Sequence, residues 1–88
     1  MEWVGRVGMD VDEDRIDEAV LALLRLTLHD GARAWKGYDW DALGRLHRKG
    51  LILNPANKAK SVVLTEEGLH EAERLFEALF ARRPAQAR

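Results

Sequence analysis

Apolar residues recur at spacings of three and four between Ile16 and Leu28: Ile16, Ala19, Val20, Leu23, Leu24, Thr27 and Leu28. That period belongs to a helix with one buried face. Asp10, Asp12, Glu13 and Asp14 place negative charge at its entrance, where free N–H groups and the positive dipole end favour it. The pattern predicts a helix over 10–30, stopped by Gly31 as a left-handed C′ residue. Leu21 and Leu26 widen the stripe on both sides. A helix of that kind is either central to a core or shared with a partner.

A second amphipathic pattern runs from Asp39, an N-cap residue, to Lys49, with Trp40, Leu43, Leu46 and His47 inward. Gly50 follows as its stop, and Leu51 is placed to pack back across it. Leu51–Leu53 and Ser61–Leu64 are short apolar runs joined by Asn54, Pro55, Ala56, Asn57, Lys58, Ala59 and Lys60. Pro55 and its Asn neighbours predict a turn there, and so a two-stranded hairpin. Thr65 caps a last helix with Glu66 and Glu67 in its first turn, and Leu69, Ala72, Leu75, Phe76, Leu79 and Phe80 form its stripe. Between the first two helices, residues 32–38 read as a connection with room for one helical turn. Trp35, Tyr38 and Trp40 cluster there and are expected to close one end of the core. Residues 1–9 read as a flexible leader, 10–83 as one domain and 84–88 as a frayed tail. The fold class expected is mainly α with a two-stranded β-hairpin.

Composition narrows the class. The chain has 88 residues, 47% hydrophobic and 33% charged, which suits one globular domain rather than a disordered segment. No apolar run is long enough to span a membrane, and the start does not read as a signal peptide. There is no cysteine, hence no disulfide framework or thiolate metal site. A cytoplasmic protein is the plain expectation.

Charge is unevenly spread over a net of −1. Residues 1–42 hold five Lys/Arg against ten Asp/Glu, whereas residues 43–68 hold five against two. The basic segment comprises Arg45, Arg48, Lys49, Lys58 and Lys60. Local sign of this kind steers polyanions, although a dedicated nucleic-acid domain carries a clearly basic balance overall. Arg48 and Lys49 also suit a helix C-terminus through the dipole.

No catalytic constellation stands out. Ser61 is the only serine and sits on a strand with no nucleophile elbow. His29, His47 and His70 fall on different elements without metal-ligand spacing, and the acidic entrance lacks the spacing of a calcium loop. No glycine-rich phosphate loop exists. The chain is therefore expected not to be an enzyme, and no cofactor, metal or small-molecule substrate is expected.

Leu43 to Phe76 resembles the wing region of MarR- and PadR-type winged-helix regulators. Lys49-Gly50 ends a helix, Leu51-Ile52 follows, a lysine-bearing turn makes the wing, and Leu64-Thr65-Glu66-Glu67-Gly68 opens the closing helix. From Met9 onward the chain also resembles a family of small uncharacterised bacterial proteins that share the acidic helix entrance and the segment Arg33–Trp40. The resemblance implies an abbreviated winged-helix-like domain. It is abbreviated because residues 31–38 leave no room for a complete second helix.

Two functions follow as expectations. In the first, helix 39–49 and the wing touch duplex DNA through Arg45, Arg48, Lys49, Lys58 and Lys60, as a weak transcription-associated binder acting as a dimer. Asp39 and Asp41 oppose it, and Arg45 or Arg48 would be the base readers. The alternative is a protein-interaction or dimerisation module with no nucleic-acid role. Its interface would be Leu21, Leu26, Leu75 and Phe80, as a homodimer or with another protein.

Overall fold

Asp12 opens the first helix, its carboxylate accepting from the N–H groups of Asp14 and Arg15. The computed structural model describes residues 9–82, so most of the expected leader and all of the expected tail, 84–88, lie outside the described residues. Helix α1 spans Glu13–Leu24 and tightens into a 3-10 turn at Arg25–Thr27. Strand β1 (Arg33–Trp35), helix α2 (Trp40–Arg48), strand β2 (Ser61–Val63) and helix α3 (Glu66–Phe80) follow. The fold class is as expected, mainly helical with a two-stranded antiparallel sheet, and is compatible with an abbreviated winged-helix-like arrangement.

Two boundaries differ from the sequence reading. The first helix stops well before Gly31, because Leu28 turns extended (ψ 133°) and Asp30 and Gly31 both take positive φ, 47° and 87°. Those two residues sit in a tight turn that pairs His29 with Arg33 through hydrogen bonds of 2.8 and 3.0 Å. Gly31 is therefore a turn residue and not a helix stop. The chain beyond it is β1, where a helical turn was expected.

The strand pairing also differs. β2 takes β1 as its ladder partner, in the register Arg33↔Val63, Ala34↔Val62 and Trp35↔Ser61. The 51–53 segment does fold back on β2, but only through the bridge Ile52↔Leu64 and the bond from the Leu53 N–H to the Val63 carbonyl, 2.8 Å. β2 thus lies between β1 and residues 52–53. Its inward residues Val62 and Leu64 join Ala34 and Ile52 in the core. Ala34, the inward residue of β1, is fully buried opposite Val62.

The other ends match the sequence reading. Asp39 caps α2 at the Ala42 N–H, 3.0 Å. At the far end Gly50 (φ 80°) completes a Schellman turn, its N–H bonding the His47 carbonyl at 2.9 Å and the Leu51 N–H bonding the Leu46 carbonyl at 3.0 Å. Thr65 accepts from the Gly68 N–H at 2.9 Å and donates its hydroxyl to the Gly50 carbonyl at 2.8 Å. The Leu51 carbonyl receives the Thr65 N–H at 3.0 Å. The first turn of α3 is thereby bound directly to the chain leaving α2.

The core is one cluster centred on Leu21, Leu24, Leu43, Leu46, Ile52 and Val62. Leu21 and Leu75, expected at an interface, belong to it, at 1% and 6% exposure. α1 packs on both α3 and α2, so the wide stripe of α1 is used on two sides. The aromatic cluster departs from expectation: Tyr38 packs against the core, but Trp35 and Trp40 stand 51% and 55% exposed. Trp35 lies on the outer side of the sheet in alternation with Ala34, and Trp40 sits at the exposed start of α2.

Gly68 explains one position of the closing motif. A Cβ there would meet the Leu51 carbonyl oxygen at 1.8 Å, so α3 can approach only without a side chain. Gly44, by contrast, faces nothing nearer than the Arg48 guanidinium at 3.5 Å. We expect Gly68→Ala to lower unfolding free energy by roughly 3 kcal/mol, the upper range for overpacking. Gly44→Ala should raise it by about 0.5–1 kcal/mol through helix propensity. Urea unfolding of the two variants checks both signs, and equal midpoints would contradict the close approach of α3.

Candidate functional site

α2 brings Arg45 and Lys49 one helical turn apart onto the same carboxylate, Asp17 of α1. Arg45 Nε lies 2.9 and 2.8 Å from the two Asp17 oxygens, and Lys49 Nζ lies 3.0 Å from Oδ2. Asp17 is 1% exposed, the one buried carboxylate among the described residues. Burial pushes its pKa up, but the hydrogen bonds from Arg45 and Lys49 outweigh this and hold it below the ordinary carboxylate value. Arg45 also reaches Glu13 at 3.6 Å, and Lys49 reaches Asp14 at 3.0 Å. A carboxylate as buried as Asp17 stays charged only with compensating partners of this kind.

Of the five cations expected to meet phosphate, Arg45 and Lys49 are therefore held against the acidic first turns of α1. Arg48, Lys58 and Lys60 are exposed and make no ion pair among the described residues. The structure does not bring all five into one free face. The first turn of α2 adds Asp39 and Asp41, both exposed beside Trp40.

The wing is organised by Lys36, whose place beside the aromatic cluster suggests in sequence a cation–π partner for those rings. Lys36, just past β1, donates from Nζ to the Pro55 carbonyl (2.8 Å), the Asn57 carbonyl (3.1 Å) and the Asn57 side-chain oxygen (3.0 Å). Its backbone N–H bonds the Lys60 carbonyl at 3.1 Å. Asn57 also accepts from the Ala59 N–H and donates to the Asn54 and Ser61 carbonyls. The ammonium fills the loop much as a bound cation would, satisfying oxygens that would otherwise face one another. Arg33 similarly donates to the buried Ser61 hydroxyl at 3.0 Å. Asn57 and Lys36 are 21 positions apart, and only the β1–β2 register, invisible to local pattern, brings them together.

Between α1, the end of α2 and α3 lies a cleft of about 290 Å³. Leu21, Leu46, Leu51 and Leu75 form its floor, and Asp14, Glu18, Glu71 and Lys49 its rim. Glu71 is engaged by Arg74 at 2.7 Å. Among the described residues no group of three His, Asp or Glu side chains is arranged to hold a metal ion. No described helix is long and apolar enough to cross a membrane.

The remaining distinctive surface is apolar. Leu26 on the 3-10 turn is 61% exposed, and Leu79 and Phe80 on the last turn of α3 are 52% and 48% exposed. Phe80 packs edge-on to Phe76, over which the Arg25 guanidinium lies 4.8 Å from the ring centre. Arg25 is also paired with Glu73. Leu26 and Phe80 thus remain outside as expected, while Leu21 and Leu75 do not. On the sheet, Trp35 stacks on His29 with ring centres 4.4 Å apart.

Residues 12–82 match the family described as Domain of unknown function (DUF6429). This chain belongs to that family. It is also similar to the uncharacterized protein y4hR of Sinorhizobium fredii (strain NBRC 101917 / NGR234), with 61% identity over 74 residues that cover 84% of this chain and 100% of that protein. No solved structure matches the chain. The family match spans every element from the Asp12 cap to the end of α3.

Two outcomes follow from these contacts. A carboxyl held below its unfolded value, about 3.9, stabilises the fold above that pH, and the contribution is lost as pH falls through the folded value. Stability should therefore drop on acidification below about pH 4. Asp17→Asn should flatten that drop and cost roughly 2–4 kcal/mol near neutrality, since Arg45 and Lys49 partly reach solvent. Denaturant unfolding across pH would measure both; an unchanged acid limb refutes the role of Asp17. Lys36→Met should speed amide exchange across 56–61 while leaving exchange in α1 unaltered.

Proposed function

We propose that this chain is a winged-helix-like protein-interaction module, acting in the cytoplasm, rather than an enzyme. One observation carries the reading: Arg45 and Lys49, central to any phosphate-binding face, are bound to Asp17, while large apolar side chains stand outside. Leu26, Leu79 and Phe80 cannot be covered by a domain this small, and exposed apolar groups of this size favour a protein partner.

A second reading keeps a transcription-associated role with weak binding to duplex DNA. It is favoured by the exposed trio Arg48, Lys58 and Lys60 on α2 and the wing. Three phosphate contacts give a slope of log affinity against log salt of about −2.7, well short of what five would give.

The readings separate in two measurements on the intact protein. Sedimentation velocity over a wide concentration range should reveal association that persists in high salt, as apolar contact requires. A titration of labelled duplex at low salt should show either no saturation or a slope near −2.7. Tight duplex binding with a slope of about −4 or steeper, by a protein that stays monomeric, would overturn the interaction reading.

A further inference from the structure

Nothing among the described residues requires glycine at position 44. Gly44 sits in the middle of α2, its φ is not positive, and a Cβ there would meet only the Arg48 guanidinium, at an ordinary contact distance of 3.5 Å. Glycine weakens a helix interior, and what it gives in return is room for another backbone to come close. At about 100° per residue Gly44 lies opposite Ala42, Leu43 and Leu46, the buried face of α2. Trp40 stands one turn before it and Arg48 one turn after, both exposed, with the exposed Asp41 next to Trp40. The outward strip of α2 is therefore a ring and a carboxylate, then a notch, then a cation.

The charges on this strip are free. Asp41 and Arg48 make no ion pair among the described residues, unlike Arg45 and Lys49 on the same helix. They also sit at opposite ends, Asp41 in the first turn and Arg48 in the last. Two copies of such a helix complement each other when they run antiparallel about a two-fold axis through Gly44. Trp40 is then level with Arg48 of the second copy, and the guanidinium can lie on the indole. Asp41 falls about 1.5 Å along the axis from the same guanidinium and accepts from it. Each contact occurs twice, the two glycines meet at the axis, and the helix dipoles oppose. A parallel pairing would set Asp41 against Asp41 and Arg48 against Arg48.

We infer that the outer face of α2 is a self-association surface whose partner is a second copy of this chain, crossing at Gly44. This rests on the interaction reading above and names a partner for it, on residues other than Leu26, Leu79 and Phe80. The pairing also takes Arg48 from the cations exposed to phosphate. Two nine-residue helices make a contact far smaller than a permanent interface, so the dimer is weak and concentration-dependent.

Charge exchange in the full chain tests the pairing. Wild type should sediment as a monomer–dimer equilibrium that shifts with concentration. Asp41→Lys and Arg48→Glu should each be monomeric where wild type is dimeric, since each sets like charges together. An equimolar mixture of the two should regain the dimer, because both ion pairs are restored across the mixed interface. Gly44→Gln should also be monomeric, yet melt at a higher temperature than wild type in dilute solution, a combination that a structurally required glycine would not produce. Should either charge variant lose the far-UV circular dichroism of wild type, Gly44→Gln alone decides. A dimer that survives Gly44→Gln, or a mixture of folded charge variants that stays monomeric, overturns the α2 pairing and leaves the interaction reading intact. Loss of that dimer on Leu26→Glu would instead move the contact to the other surface. A wild-type protein monomeric at every concentration overturns self-association altogether.

Discussion

A carboxylate sealed from water admits few arrangements, and Asp17 governs this fold for that reason. Its two oxygens need donors, and Arg45 and Lys49 supply them from successive turns of α2. That requirement sets which face of α2 looks inward, so Ala42, Leu43 and Leu46 reach the core and Trp40, Asp41 and Arg48 do not. It also places the end of α2, where Gly50 turns the chain back to Leu51. The Leu51 carbonyl then receives Thr65, and Gly68 lets α3 settle against it. The Asp17 cluster thus joins α1 to α2, and the Thr65 hydrogen bonds carry that placement on to α3. It also pairs two of the cations with acidic groups of α1, a functional consequence with a structural cause.

Local signals were legible and distant ones were not. Asp12, Asp39, Thr65 and Gly50 act where their residue types suggest, because caps and left-handed turns depend on neighbours within four positions. The ladder partner of β2 depends on residues some thirty positions away, and in sequence Leu51–Leu53 is the strand candidate while 32–38 reads as a connection. Ala34 is the inward residue of β1, opposite Val62, and a three-residue strand with one apolar inward position leaves little alternation to read. The last turn of α1 was misplaced because Gly31 is a plausible helix stop, and its φ serves equally in the turn with Asp30.

The same limit explains the candidate site. Positive charge clustered in sequence at 45–60 looked like one surface, but helical period sends Arg45 and Lys49 one way and Arg48 another. Asp17 could have been suspected, since it is a carboxylate on the same side of α1 as Leu21 and Leu24, where an unpaired charge is untenable. Its partners could not be named without the α1–α2 packing. In sequence Leu21 and Leu75 read as surplus, because the stripes of α1 and α3 are too wide for one contact. The wide stripes meet each other, and that contact absorbs both residues.

What it does not absorb is the far side of α1. In a bundle each helix has neighbours on only some sides, and here α1 has α3 and α2. The stretch that would hold a further helix is β1 and its turns, and β1 pairs with β2. An abbreviated helical core therefore leaves a helix whose outer residues were still chosen to be apolar. Ile16 on α1 and Leu26 on the 3-10 turn stay 38% and 61% exposed on that account, whereas Ala19 and Leu23 are already half-buried.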